Sequence, residues 1–340
     1  MKKSLVALAV AAALPAFAQA QTSIQLLGSV DVAVQSLNKD ANTTGKSDLR
    51  IDDGIWGGSR VGIVGSEDLG NGLKGIFNLE YRARADNGRL NASGRFWQGQ
   101  SWVGLSGGFG AVRLGRQAMP LTKAVEAGDM TGQSWYYSSD AMLDYESKHD
   151  NAITYATPSL GGVKIFAGYA AGEATADANT PDNGNLNKRN DSYSISAVGD
   201  WNIFTFGLGY ESIDRAKINN EKRRNLIAAS LATKLGDFGA GLVYMQNELK
   251  YQTGNAKNKN KGISASLSYA VSDAGTAYLT YLREDPQGPN NNESGIGLTY
   301  SHGLSKRTYV YGTVGIGKAE VPGQDDTKPR RVALGIRHFF

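Results

Sequence analysis

The region from residue 21 to residue 340 consists of short segments that alternate apolar and polar residues and are separated by Gly, Asn and Asp turns. It contains no helical periodicity and no apolar run long enough to cross a bilayer as a helix. A membrane-bound chain of this kind can satisfy its backbone hydrogen bonds in lipid only as a closed β-barrel. We therefore predict an all-β, antiparallel transmembrane β-barrel.

The first 20 residues have the pattern of an export signal. Lys2 and Lys3 provide the positive end, an apolar stretch covers residues 5–14, and Ala18-Gln19-Ala20 is a small-residue cleavage site. A transmembrane helix is a poorer interpretation, because the apolar stretch is shorter than the roughly 20 residues that a span needs. We expect cleavage after Ala20, with residues 21–340 forming the barrel domain.

Charge and cysteine content exclude several classes of protein. The chain has 36 basic and 32 acidic residues, and removal of Lys2 and Lys3 leaves 34 basic residues against 32 acidic ones, a net charge of +2. Such a balance, without a clustered basic face, argues against nucleic-acid binding. The sequence has no cysteine, so disulfides and thiolate chemistry are excluded.

Turn signals divide the mature chain into 16 strands with both ends on the short-turn side, as is typical of bacterial single-chain barrels. Seven short turns are predicted at residues 69–72, 106–110, 158–162, 200–202, 235–238, 271–275 and 303–306. Eight longer connections are predicted at residues 37–55, 85–94, 117–149, 170–189, 213–223, 251–260, 285–292 and 318–328.

Alternation also predicts which side chains face the lipid. Between residues 73 and 84 one face is apolar, and the other carries Lys74, Glu80, Arg82 and Arg84. A charge on the lipid side at the bilayer midplane would cost roughly 2–4 kcal/mol, so we expect the charged face to line the lumen. The same argument places Arg60 inside.

Four blocks of the sequence resemble one known family. They are SRVGIVGSEDLGNGLK at residues 59–74, VGLSGGFGAVRLGRQ at 103–117, DNAITYATP at 150–158 and GIRHFF at 335–340. With the strand count, these blocks make the whole mature chain similar to the trimeric general porins of the Gram-negative outer membrane, closest to the neisserial and betaproteobacterial porins.

This resemblance implies a 16-stranded barrel whose long third loop, residues 117–149, folds into the lumen. It implies a homotrimer in the outer membrane that passes ions and small hydrophilic solutes by passive diffusion, without a cofactor. The expected partners are outer-membrane lipid, lipopolysaccharide and the barrel assembly machinery, which reads the terminal aromatic residue, here Phe340. Counting back by twos from Phe340 gives His338, Ile336, Leu334 and Val332 as a lipid-facing row.

Charged residues on the third loop and on the wall would form the constriction. The loop carries Glu126, Asp129, Asp140 and Asp144, and the opposite wall would present Arg60, Arg82, Arg84, Arg113 and Lys148. A negative loop facing a positive wall would produce a transverse field and bias ion flux. The alternative is that these charges only solvate loops and line a wide lumen.

Two positions complicate the resemblance. The family commonly has an arginine where this chain has Gly99, so we expect only a weak to moderate anion preference, with Arg82 and Arg84 compensating. Alternation places Arg116 on the outer face, beside Leu114. It could face a neighbouring subunit and pair with an acidic residue there, or the strand could end at Gly115 and leave Arg116 in water.

Other functions lack support in the sequence. None of the three histidines, His149, His302 and His338, has an evident serine and acid partner, which argues against an outer-membrane hydrolase. The stretch 312–318 has the glycine spacing of a phosphate-binding loop, but Ala319 replaces the required Ser or Thr and no helix follows.

A channel dedicated to a sugar or an organic anion, or a mainly adhesive barrel, remains an alternative. Sugar channels line their path with aromatic side chains, and this chain has five tryptophans. Trp135 alone lies in the third loop. We expect Trp56, Trp97, Trp102 and Trp201 to belong to the aromatic girdles at the membrane interfaces.

Overall fold

A computed structural model describes residues 22–38, 48–90, 95–172, 191–215, 221–251, 257–287, 291–320, 323 and 325–340. The predicted signal peptide lies outside these residues. Within them, no helix has the length and apolar character needed to span a membrane.

The described chain is nearly all strand. The strands are β1 (Ser23–Asn38), β2 (Asp48–Asp53), β3 (Ser59–Gly70), β4 (Leu73–Ala83), β5 (Gln100–Gly107), β6 (Gly110–Ala118), β7 (Lys148–Ala156), β8 (Val163–Ala170), β9 (Ser192–Trp201), β10 (Phe204–Asp214), β11 (Glu221–Leu235), β12 (Phe238–Tyr251), β13 (Lys257–Ser272), β14 (Gly275–Asp285), β15 (Glu293–Gly303), β16 (Thr308–Ala319) and β17 (Arg330–Phe339). The connection between β6 and β7 contains helix α1 (Pro120–Glu126) and a short 3₁₀ segment (Ser139–Asp144).

All pairings are antiparallel, and β1 closes the barrel by pairing with β17 from Ser29↔Phe339 to Asn38↔Arg330. β2 and β3 pair with successive parts of β1, β2 along Val32–Leu37 and β3 along Ser23–Ser29. They are therefore two pieces of one barrel strand, interrupted at residues 54–58. Counted in this way, the 17 described segments form the predicted 16-stranded barrel.

Two details of the prediction were wrong. The connection predicted at residues 37–55 contains β2, which continues the barrel wall beyond the interruption. The expectation of no helical stretch is wrong at α1. Pro120 occupies its first turn, where a backbone N–H would have no partner within the helix, so proline is tolerated.

Exposure alternates along the strands as expected for a wall between lipid and lumen. In β17, Val332, Leu334 and Ile336 are at least half exposed, whereas Ala333 and Arg337 are buried. The predicted row therefore points out of the barrel. Phe340 completes the closure: its backbone exchanges two 3.1 Å hydrogen bonds with Gly28, and its ring covers the space that a side chain at Gly28 would need.

Candidate pore constriction

The third loop follows the inner face of the wall from β9 to β16 and is held there by wall hydroxyls. Four serine and threonine side chains, on β9, β11, β13 and β14, bind its backbone. The bonds are Leu121 N to Ser194 Oγ (3.0 Å), Ser230 Oγ to Ala124 O (2.5 Å), Met130 N to Ser266 Oγ (2.9 Å) and Thr280 Oγ1 to Tyr136 O (2.6 Å). These bonds satisfy loop backbone groups that would otherwise be buried without partners.

Wall glycines provide the space for this contact. A Cβ atom on Gly241 would lie 2.1 Å from the carbonyl oxygen of Gly128, and one on Gly297 would lie 2.4 Å from the carbonyl oxygen of Tyr136. Neither distance is possible for real atoms. The loop backbone therefore reaches the wall only because these two positions have no side chain.

Two of the three glycines at 312–318, the stretch that imitates a phosphate-binding loop, provide space for the third loop in the same way. Cβ atoms on Gly315 and Gly317 would collide with the rings of Tyr136 and Tyr137. The stretch lies within β16. The packing of two loop tyrosines thus explains Gly315 and Gly317, whereas Gly312 lies beside Leu334.

Apolar and polar contacts complete the attachment. Leu121, Val125 and Met142 of the loop pack in one buried cluster with Leu226 and Met245 of the wall. Burial raises the pKa of Tyr136 to about 12, so its hydroxyl remains a donor, and it bonds Gln35 Oε1 at 3.2 Å. The loop is therefore bound to the wall along its length.

The opposite part of the inner wall carries arginines. Register places Arg337 of β17 opposite Asp31 of β1, Ser29 of β1 opposite Arg60 of β3, and Arg60 opposite Arg82 of β4. Three guanidinium groups therefore lie within the four adjacent strands β17, β1, β3 and β4. We call Arg337, Arg60 and Arg82 the arginine row.

The arginine row meets the third loop at Gly57. A Cβ atom at that glycine would lie 3.4 Å from Arg337 Nη1, 3.5 Å from Arg60 Nη2 and 3.7 Å from Ser134 Oγ of the loop. The row and the loop thus border the same part of the lumen.

Two carboxylates moderate the row: Asp31, which lies opposite Arg337, and Glu80. Glu80 lies 2.8 Å from Arg82 Nε and 3.8 Å from Arg60 Nη1. A Cβ atom on Gly99 would lie 2.0 Å from Glu80 Oε1, so the glycine at this commonly basic position leaves space for that acid. Arg95 pairs instead with Asp150.

Two predicted wall cations contribute differently. Arg84 is neutralised by Asp52 (2.8 Å) and Asp86 (3.7 Å). Arg113 lies 4.6 Å above the ring centroid of Trp102 and forms no ion pair within the described part of the chain.

The loop acids are less free than the sequence suggested. Glu126 pairs with Lys123 at 2.7 Å, and Asp129 accepts hydrogen bonds from Thr131 and Ser139 that tie the loop to itself. Asp140 is open to the lumen water, but enclosure by the protein raises its pKa, against the opposing effect of Lys148 and Arg82. The side chain of Asp144 lies outside the described residues.

Arg116 lies at a register shift between Gly115 and Gln117. Its guanidinium binds Asp150 at 2.8 Å and the carbonyl oxygen of Gln98 at 2.8 Å. The strand continues to Ala118, so the alternative in which it ends at Gly115 is wrong. Arg116 has its acid partner within its own chain and lines a polar recess with Arg82 and Lys148.

One histidine has an acid partner. His149 Nε2 lies 2.8 Å from Glu211 Oε1, and both side chains are buried. Ser192 Oγ donates to Glu211, not to His149, at 3.1 Å. The histidine therefore does not stand beside a hydroxyl nucleophile, and the group instead ties the base of the loop to β10.

The placement of two tryptophans was also wrong. Trp56 packs in the lumen against Trp135 (4.9 Å between ring centroids) and Tyr311 (6.1 Å). Trp102 shares the inner face with Arg113. Trp201, which is 73% exposed next to a short turn, fits the interfacial girdle.

Sequence reasoning missed several inner charges, although the signal was available. The count that places Ile336 outside also places Arg337 and Arg331 inside. Asp31, which accepts a 2.8 Å bond from the Tyr311 hydroxyl, lies on the inner face of β1 by the same rule.

A closed antiparallel barrel with an apolar outside, a charged inside and an inserted third loop defines a pore-forming outer-membrane protein. The chain matches the Gram-negative porin family over residues 7–320 and belongs to that family. It lies in the outer membrane of a Gram-negative bacterium.

Individual proteins similar to this chain are also porins. The chain is 34% identical to outer membrane porin protein 32 of Delftia acidovorans and 25% identical to major outer membrane protein P.IB of Neisseria meningitidis, with full coverage of both chains in each case. It also resembles the solved structure of an anion-selective porin from Comamonas acidovorans, with a TM-score of 0.79 and 27% identity over 94% of this chain and 100% of that one.

Proposed function

We propose that the chain is a passive diffusion pore for ions and small hydrophilic solutes with a weak preference for anions. The observation that carries the proposal is the arginine row beside the third loop. The cations of this row attract anions to the narrow part of the lumen and repel other cations. No energy source or cofactor is needed for this mechanism.

The balance of charges supports a weak preference for anions over cations. Glu80 offsets part of the field of Arg60 and Arg82. On the loop, Glu126 and Asp129 already have partners, which leaves Asp140 as the least compensated of the acids whose side chains are described. The structurally similar Comamonas protein is described as anion-selective.

Several further properties are part of the proposal. Residues 1–20 would be removed on export, residues 21–340 would form the mature barrel, and residues 117–149 would set the size limit for solutes. The mature protein would be a homotrimer. Phe340 would be read by the assembly machinery, and lipopolysaccharide would surround the barrel.

The test is the reversal potential of the reconstituted protein in a planar bilayer under a salt gradient. The unmodified pore should give a potential on the anion side. The double variant Arg60→Gln/Arg82→Gln should move it towards the cation side, while Arg307→Gln, at an exposed short turn, should leave it unchanged. An unchanged potential in the double variant would remove selectivity from the arginine row, and absence of conductance would reject the pore.

A channel for organic anions is the second candidate, because aromatic rings stand beside a lumen cation. Arg337 lies 5.4 Å from the ring centroid of Trp56 and 4.4 Å from that of Phe339. Because Arg337 is only 3% exposed, an aromatic carboxylate would contact the rings and be attracted by the charge behind them. Saturable block of the current by benzoate, but not by acetate, would favour this candidate.

A further inference from the structure

The three members of the arginine row are not equally accessible to the lumen. The side chains of Arg60 and Arg82 are 34% and 25% exposed, whereas Arg337 is 3% exposed. Arg337 donates a hydrogen bond to Ser29 Oγ at 3.1 Å and forms no ion pair in the part of the chain that the structure describes. Its charge is therefore present beside the constriction, but other groups cover it.

Aromatic rings provide this cover. The guanidinium carbon of Arg337 lies 4.4 Å from the ring centroid of Phe339 and 5.4 Å from that of Trp56. The Trp56 ring lies in turn 5.3 Å from Tyr309 and 4.9 Å from Trp135 of the third loop, between ring centroids. We call Trp56, Phe339, Tyr309 and Trp135 the aromatic cover. An anion in the lumen therefore meets these rings before it meets the guanidinium of Arg337.

Trp56 differs from the rest of the cover because it comes from the interruption at residues 54–58. Its backbone N–H donates to Asp31 Oδ2 at 2.9 Å, and the N–H of Ile55 donates to the Tyr311 hydroxyl at 3.1 Å. The Tyr311 hydroxyl donates in turn to Asp31 Oδ1 at 2.8 Å. Asp31 and Tyr311 therefore fix the backbone from which the indole of Trp56 extends.

Glycines allow the wall to form this interruption. A Cβ atom on Gly54 would lie 1.8 Å from Asp31 Cγ, a distance that real atoms cannot adopt. Gly57 has a φ of +82°, in the left-handed region that favours glycine, and its backbone lies beside Arg337 Nη1. The chain can therefore leave the regular strand, place an indole over Arg337 and return to the strand at Ser59.

We propose that Trp56 is a specificity-determining residue that weakens the preference of the pore for anions by covering Arg337. The attraction between two charges falls with their distance, and an anion cannot form a charge-assisted hydrogen bond through an aromatic ring. Passing anions therefore contact Arg60 and Arg82 but not Arg337. Asp31, fully buried opposite Arg337, reduces the remaining field. This inference deepens the proposed anion preference and rests on it.

The experiment measures the reversal potential and conductance of reconstituted variants under a salt gradient. Trp56→Ala should raise the ratio of anion to cation permeability about twofold, the size expected for one additional unit charge facing the aqueous path. The double variant Trp56→Ala/Arg337→Gln should lose that gain. Both variants should conduct more than the unmodified pore, since both lack the indole. Trp201→Ala removes an exposed indole next to a short turn and should change neither quantity.

A second measurement does not depend on the folding of Trp56→Ala. With Trp56 in place, Arg337→Gln should shift the reversal potential less than Arg60→Gln does, because Arg337 is covered. Equal shifts in these two variants, an unchanged or more cationic potential in Trp56→Ala, or retention of the gain in the double variant would overturn the proposal. If Arg60→Gln/Arg82→Gln still moved the potential towards the cation side, only the role of Trp56 would be rejected, and the proposed function would stand.

Discussion

The two halves of the inner wall differ in side-chain size and charge. From β9 to β16 the inner face presents glycines and hydroxyls, such as Gly241 and Ser266, and the third loop lies against it. From β17 to β4 the inner face presents Arg337, Arg60 and Arg82. The loop therefore occupies the small-residue side, where the inner charges Glu211 and Arg224 are buried against His149 and the loop carbonyl of Leu143. The aqueous path is displaced towards the arginine row.

This difference separates two tasks within one barrel. The small-residue wall determines where the loop lies, because backbone can approach only where no side chain intervenes. The charged wall determines which ions pass. Changes to the first should alter stability and pore size, and changes to the second should alter selectivity alone.

The largest effect is expected from Gly241→Val. Its side chain would collide with the carbonyl oxygen of Gly128 and force the loop from the wall. Overpacking of this kind typically costs about 1–3 kcal/mol. The temperature at which the SDS-resistant oligomer dissociates should fall, and single-channel conductance should change.

Gly108→Ala is the matched control, since a Cβ atom there has open space. If Gly241→Val left both dissociation temperature and conductance as in the unmodified protein, the loop would not depend on the glycine wall.

Glu80→Gln should increase the net positive charge of the arginine row. It removes the carboxylate that offsets Arg60 and Arg82, so the preference for anions should rise, with stability little affected. The reversal potential under a salt gradient measures this change. Glu67→Gln, exposed near the end of β3, removes the same charge far from the row and should have no such effect. A shift towards cations in Glu80→Gln would contradict this account of the row.

The alternation of apolar and polar residues predicts part of these two regions, because it gives the direction of each side chain along a regular strand. Period-two patterning and turn residues predicted the barrel, its strand number and the inward direction of Arg60 and Arg82, because the lipid penalises misplaced charge. The same rule also places Arg337 on the inner face, two residues before Phe339. Alternation fails at residues 54–58, where the barrel strand is interrupted, and Trp56 was misplaced for that reason.

Side-chain partners depend on height along the barrel, which alternation does not encode. The His149–Glu211 pair joins β7 to β10, two strands that are not neighbours in the sheet. The hydroxyls that hold the loop were equally hidden, since an inward serine has the same pattern whether it meets water or a loop. Register shifts, as at Arg116, also break the rule.

Lowering the pH should strengthen the preference for anions through Asp140. Its raised pKa means that it takes up a proton at a higher pH than an ordinary aspartate, and the neutral form no longer opposes the arginine row. His149 also gains positive charge as the pH falls, so the comparison needs Asp140→Asn. Between pH 7 and pH 5, the reversal potential of that variant should change less than that of the unmodified pore. Identical pH profiles would exclude Asp140 as the titrating group.

The smallest effect is expected from Ser266→Ala, which removes one of the loop's four wall hydroxyls. The amide of Met130 would lose a 2.9 Å bond, at a cost of about 1 kcal/mol. Because three hydroxyls and the apolar cluster still hold the loop, mean conductance and reversal potential should stay unchanged, while open-channel current noise should increase. Ser66→Ala, which loses a bond to Ser23 at the exposed end of the barrel, is the control. Equal noise in both variants would mean that the loop is positioned by packing, and that the hydroxyls only satisfy its backbone.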